Sequence, residues 1–163
     1  MRGRQGSDHV MALEAAASCT GRTGSTGPAC CLFDSKAAFP SLNHSFLASV
    51  LQKFCGSHPV GRIIIDLYLG NKASLLLFGD IHDGFGVSAG VRQGCPLSGS
   101  LFALCFHTII IDLQLKLIHK AFAISARIFA YADDLGILLS DLWILMPMLY
   151  ESMRAAVRAT NLH

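Results

Sequence analysis

Charge is scarce in this chain of 163 residues: charged side chains make up only 15% and the formal net charge is +2. So little charge beside 52% hydrophobic residues excludes a solvated disordered chain, and the small positive balance excludes a nucleic-acid clamp that works by bulk charge alone. None of the six cysteines forms a C-x-x-C pair, which removes the usual zinc and dithiol motifs. They fall inside apolar stretches, so they read as buried free thiols in a reducing compartment. Long apolar runs are lacking too. His107 and Asp112 interrupt the segment 98–117, and Asp141 interrupts 135–150, so neither reaches the roughly 18 consecutive apolar residues of a spanning helix. No membrane partner is expected. The N-terminus, with Arg2, Arg4, Asp8 and His9 ahead of a short alanine-rich run, lacks the apolar core of a secretory signal. The seven histidines show no paired ligand spacing on a common face, which argues against zinc.

What remains is enough chain for one domain with a real core. The apolar excess implies that part of its surface normally meets something else. Residues 20–28 form a Gly/Pro-punctuated linker behind a helix expected over 8–18. Residues 29–33 are a short apolar run that ends at Asp34 and reads as a buried strand. Pro40 suits the first turn of a helix over 41–54, and a second helix is expected over 60–69. Residues 73–78 and 85–87 read as two strands joined through Gly-Asp-Ile-His-Asp-Gly. After the loop Gly90-Val91-Arg92-Gln93-Gly94-Cys95-Pro96, Ser98 is a suitable N-cap for a largely buried helix running toward Lys120. Arg127–Ala130 and Leu135–Leu139 flank Tyr131-Ala132-Asp133-Asp134 as a hairpin with two acids at its tip, and a last helix covers 142–159.

Two adjacent aspartates at a turn have an ordinary explanation, because Asp bonds nearby backbone and tolerates unusual dihedrals. Asp34, placed directly after another apolar strand, changes the balance. If the first strand lies beside the hairpin, three carboxylates converge, and like charges so close require neutralisation by cations. Oxygen-only ligands of high negative charge select hard ions such as Mg²⁺. Two such ions clamp the attacking and leaving oxygens of an in-line phosphoryl displacement, so nucleotidyl transfer is the chemistry indicated.

Three strings carry a family resemblance. Cys31-Leu32-Phe33-Asp34-Ser35-Lys36-Ala37-Ala38-Phe39, Arg92-Gln93-Gly94-Cys95-Pro96-Leu97-Ser98 and Phe129-Ala130-Tyr131-Ala132-Asp133-Asp134 resemble, in order and spacing, the three palm motifs of reverse transcriptases of non-long-terminal-repeat (LINE-like) retrotransposons. The segment Ile64–Tyr68 follows the family's connecting region, and Gly3–Asp8 more weakly resembles a fingers segment.

The resemblance implies an α+β polymerase palm, a small antiparallel ferredoxin-like sheet packed on helices. Residues 1–28 would be a fingers remnant and linker and 29–163 the palm, stopping before the lysine-bearing segment, primer grip and thumb. It implies an RNA-directed DNA polymerase using two Mg²⁺ ions, with Mn²⁺ as a substitute, deoxynucleoside triphosphates, an RNA template and a DNA primer. Asp34, Asp133 and Asp134 would be the catalytic acids and metal ligands. Ser35, Phe39, Gln93 and Gly94 would contact the incoming nucleotide, with Phe39 blocking a ribose 2′-hydroxyl. Arg92 and Tyr131 would touch nucleic acid. Each has a plainer competitor: a core phenylalanine for Phe39, a solvated arginine for Arg92, a ring packed under the hairpin for Tyr131.

Two positions depart from the family. Pro40 stands where an aspartate is usual and Gly99 where a proline is usual. Without fingers and thumb, substrate positioning is deficient, so the polypeptide alone is expected to have little or no activity. A non-catalytic relic or nucleic-acid-binding palm fragment is the competing reading. An intracellular location, nucleus or cytoplasm, goes with the family.

Overall fold

A computed structural model describes residue 14, residues 29–118, 126–131 and 134–162. The helix expected over 8–18 and the linker over 20–28 lie almost wholly outside these residues. The described chain forms β1 (Ala29–Phe33), α1 (Ala38–Ser41), α2 (His44–Cys55), α3 (Pro59–Tyr68), β2 (Leu75–Leu77), β3 (Asp80–His82), α4 (Pro96–Ile118), β4 (Ala126–Tyr131), β5 (Asp134–Leu139) and α5 (Leu142–Thr160). The class is α+β with two small antiparallel sheets, as expected.

By contacts the chain divides into two compact units, one of Met1–Lys36 with Phe106–Val157 and one of Ala37–Cys105 with Arg158–His163. The division falls inside the segment read as one palm.

In the first unit the sheet order is β1-β5-β4. β5 is central, and its residues 135–139 are all buried, which is why this strand is a continuous apolar run rather than an alternating one. β1 is an outer strand and alternates, with Leu32 exposed. Phe106, Ile109, Leu113 and Leu117 of α4 are buried, at the three- and four-residue spacing of a helical stripe. Ile111 and Leu115 on its other side are exposed. The helix is therefore less buried than its composition suggests. Among the described residues it is the one helix long and apolar enough over Pro96–Leu117 to cross a membrane by length and composition, and a third (33%) of that window is buried. Asp141 caps α5, its carboxylate accepting from the Ile144 N–H at 3.1 Å.

The second unit is built around α2 and α3. Asn43, not Pro40, starts the long helix: its side chain accepts from the Ser45 N–H at 2.7 Å, and Pro40 sits inside the four-residue α1. Asn is a strong cap because its oxygen satisfies an orphan N–H. Pro59 takes the first-turn position of α3 behind the cap His58. Gly61 permits close approach of α2 and α3, because a Cβ there would lie 2.6 Å from that of Cys55.

The strand pair turns earlier than expected. Leu77 pairs with Asp80, so the connection is Phe78-Gly79, both at positive φ (53° and 95°), as a two-residue primed turn requires. The outer limbs 71–73 and 85–87 also pair, through reciprocal Ala73 and Phe85 hydrogen bonds of 2.8 and 3.1 Å and Val87 N–H to Asn71 O at 2.8 Å. Asp83 and Gly84 stand opposite Ser74 alone, which makes a bulge. A Cβ on Gly84 would fall 1.7 Å from the Ala73 carbonyl oxygen.

The chain then returns along α1 and the start of α2. Val91 N–H donates to Phe39 O and Gly90 N–H to Leu42 O, both at 2.8 Å, and His44 N–H donates to Ser88 O at 3.0 Å. Gly90 has φ +94, and a Cβ on it would lie 2.9 Å from the Pro40 carbonyl oxygen. Gly94 has φ +78 with open space around it. The two glycines therefore separate dihedral strain from collision. Gly94→Ala should cost about 1 kcal/mol, the ordinary left-handed penalty, while Gly90→Ala should cost at least about 2 kcal/mol because backbone must also move. Urea denaturation of both variants checks the order.

Candidate active site

β1 runs antiparallel to β5 with Phe33 opposite Leu135. Asp34 directly follows β1, and Asp134 is the first residue of β5, so continuing this register by one step would set the two opposite each other. Tyr131, the last residue of β4, pairs with Asp134 from the other side. The strand expected beside the hairpin is therefore there. Two carboxylates and a tyrosine share one end of the sheet. Asp34 and Asp134 are both exposed, and among the described residues neither has an ion-pair partner. Tyr131 is 54% exposed, so its ring is not buried under the hairpin.

Asp133 lies outside the described residues. Those that are described contain no group of three potential metal ligands. The donor set still suits a hard divalent cation: two solvent-facing carboxylates at neighbouring positions supply oxygen ligands and an unfavourable mutual repulsion that a cation relieves. Ser35 follows Asp34 and is half-buried.

The other predicted residues belong to the second unit. Phe39 in α1 is 37% exposed and stacks on Phe102, with ring centroids 4.6 Å apart. That support gives a partly open ring a fixed orientation. Nothing in the sequence pattern singled out Phe102. The Phe39 carbonyl holds Val91, so Phe39 is tied by backbone to the loop that carries Gln93 and Gly94. Arg92 C=O accepts from Cys95 N–H, and the positive φ of Gly94 at the third turn position makes this a type II turn. Both turn residues are exposed.

Arg92 has an occupation that sequence reasoning missed. Its Nη2 donates to Leu67 O at 2.9 Å and to Asn71 Oδ1 at 3.3 Å, and the guanidinium lies 5.9 Å from the centre of the Tyr68 ring. Asn71 Nδ2 donates to Leu67 O and Tyr68 O at 2.7 and 3.1 Å. Together they satisfy the carbonyls left open at the end of α3. The expected Ser98 cap is also replaced. α4 begins at Pro96, and Ser98, buried, donates its hydroxyl to Arg92 O at 2.6 Å.

Cys95 precedes α4 and is half-buried, and Cys30 is exposed, so the uniform reading of buried thiols is corrected. The Leu97 backbone N–H, with contributions from Ser98 and Arg92, holds the Cys95 thiol below its ordinary value against a smaller opposing effect of burial. Burial alone pushes Cys105 up to about 12. A helix N-terminus favours the thiolate.

A family model described as reverse transcriptase (RNA-dependent DNA polymerase) matches residues 5–163. A Xenopus laevis protein, the Transposon TX1 uncharacterized 149 kDa protein, is 27% identical over 112 residues, which is 67% of this chain and 9% of that protein. Among solved structures, apo telomerase from Candida tropicalis has a TM-score of 0.65 at 14% identity, covering 94% of this chain and 30% of that one. The same telomerase in complex with a TWJ fragment of telomeric RNA has a TM-score of 0.64 at 14% identity, covering 96% and 28%. The chain thus spans less than a third of these relatives.

The thiols provide the check on the local geometry. Because a lowered pKa keeps thiolate present as pH falls, and a raised one removes it, iodoacetamide should modify Cys95 well before Cys105 at neutral pH, with Cys95 labelling persisting to lower pH. Peptide mass spectrometry over a pH series reads the order.

Proposed function

The chain belongs to the reverse transcriptase family, and from that premise we propose that it is the palm portion of an RNA-directed DNA polymerase of the non-long-terminal-repeat retrotransposon kind. The observation that carries this is the β1–β5 register, whose last pair, Phe33 with Leu135, brings Asp34 to the end of the sheet where Asp134 opens β5. The transposon relative supports the retrotransposon origin, and the likeness to a telomerase solved with an RNA fragment supports a nucleic-acid template as partner. In this reading residues 1–28 are a fingers remnant and linker and 29–163 the palm.

Asp34, Asp133 and Asp134 would hold two Mg²⁺ ions, or Mn²⁺ in their place. When bound, these supply charge neutralisation for the attacking and leaving oxygens of phosphoryl transfer. The chain's own residues do the rest by position. Asp34 follows β1 and Asp134 opens β5, and the pairing of these strands would hold the two near each other, so that little reorganisation is needed as charge develops. Tyr131 projects its half-open ring beside Asp134, where the end of a DNA primer would lie. Gln93 and the open backbone of Gly94 would meet the incoming deoxynucleoside triphosphate, and Phe39, held by Phe102, would exclude a ribose 2′-hydroxyl. Arg92 shapes this loop through the end of α3, and any phosphate contact uses the donors that capping leaves over.

RNA-templated primer extension by a longer protein containing this chain tests the reading. Asp34→Ala or Asp133→Ala should each reduce extension by a factor of 10² or more, roughly the loss of one preorganised electrostatic group. Extension that survives Asp133→Ala, or its absence from the unsubstituted protein under the same conditions, contradicts it, the latter in favour of a non-catalytic palm.

A further inference from the structure

Every residue from Ser74 to Gly86 is exposed, yet the hairpin of β2 and β3 carries Leu75, Leu76, Leu77, Phe78 and Ile81, with Leu76 69% and Ile81 78% exposed. Leu75 and Leu77 share one face with Asp80 and His82, and Leu76 and Ile81 share the other. Apolar side chains therefore stand in solvent on both faces. Contiguous apolar surface of this kind marks a place where another molecule docks. Residues 73–85 contain no Lys, Arg or Pro, so common devices that block strand addition at a sheet edge are missing.

The edge of β3 indicates the occupant. Phe78-Gly79 is a two-residue turn closed by the Leu77–Asp80 pair, whose hydrogen bond points into the hairpin. Bonded and non-bonded pairs alternate along an antiparallel ladder, so the next pair, Leu76 and Ile81, turns its N–H and C=O outward. Ile81 thus presents one donor and one acceptor along the free edge of β3. Such an edge is complementary to itself: a second copy, related by a two-fold axis perpendicular to the sheet, can exchange both hydrogen bonds with the first. Charge fits the same arrangement. With Ile81 opposite the partner's Ile81, Asp80 stands opposite the partner's His82 and His82 opposite the partner's Asp80, so a carboxylate meets an imidazole N–H twice on one face. On the other face Leu76 and Ile81 continue into the partner's Ile81 and the partner's Leu76 as one apolar row. A slip of two residues would set Asp80 against the partner's Asp80, or His82 against the partner's His82, and lose both pairs. The edge of β2 sets leucine against leucine and offers no such charge pair. The bulge at Asp83-Gly84 ends the ladder, which keeps the contact short.

We propose that the chain forms a two-fold dimer in which β3 pairs antiparallel with β3 of a second copy, joining the two hairpins into one four-stranded sheet. The interface goes beyond the polymerase reading and does not depend on it, because none of the acids at the end of the β1–β5–β4 sheet takes part.

Sedimentation velocity of the whole 163-residue chain, followed across the micromolar range, should show a reversible monomer–dimer equilibrium. Ile81→Lys should weaken it by about tenfold or more, because a lysine on an edge strand opposes pairing. His82→Asp sets aspartate against aspartate across the axis and should weaken it by about tenfold. Adding Asp80→His to that variant should restore the dimer, since both pairs re-form with their members exchanged. All three substitutions fall at exposed positions, and recovery in the double variant separates a lost interface from a lost fold. A chain that stays monomeric, leaving the edge to a segment of the longer protein, would overturn the proposal. So would assembly beyond a dimer, a dimer indifferent to Ile81→Lys, or a double variant that is not restored. Asp34→Asn should leave the dimer intact while abolishing primer extension in the longer protein, so the two readings fail separately.

Discussion

The antiparallel pairing of β1 onto β5 is the constraint from which the rest follows. Its register restricts where Asp34 falls: with Phe33 opposite Leu135, the next residues at this end of the two strands are Asp34 and Asp134. A slip of one residue would turn Leu32 inward and rotate Asp34 to the other face of the sheet. The register is held because residues 135–139 are buried and cannot exchange faces without exposing apolar surface. Burial of the central strand therefore sets the separation of two charges that, by themselves, repel.

The second unit solves a different problem with backbone. Val91, Gly90 and His44 are tied to Phe39, Leu42 and Ser88 by main-chain hydrogen bonds, and Gly90 is the residue that lets its loop approach the Pro40 backbone so closely. Arg92 and Asn71 then close the end of α3, which fixes the base of the Gln93-Gly94 turn. A type II turn with its glycine in open space is presented on a rigid support. The exposed part is small, and the restraints are behind it.

Where local sequence decides the outcome, the structure was legible in advance. β1 occupies residues 29–33 as read from its apolar run, and the hairpin carries Asp134 at its tip because two apolar strands flank a short polar step. Where tertiary contacts decide, sequence signals misled. Phe78 adopts positive φ at a hairpin turn, a conformation phenylalanine rarely favours, so the sequence pattern points to the polar 79–84 segment instead. Pro40 looked like a helix start, but Asn43 provides the cap. Arg92, read as a phosphate contact or a solvated side chain, is a helix cap whose partners, Leu67 in α3 and Asn71 just beyond it, are 25 and 21 residues away in sequence.

Paramagnetic relaxation by Mn²⁺ on the isotope-labelled chain measures directly whether the end of the β1–β5–β4 sheet binds a divalent cation, as proposed. Substoichiometric Mn²⁺ should broaden the amide signals of Phe33, Asp34, Asp134 and Leu135 first, Mg²⁺ should compete the effect away, and Asp34→Asn should weaken it. Broadening that begins elsewhere, or that persists unchanged in Asp34→Asn, would contradict the account.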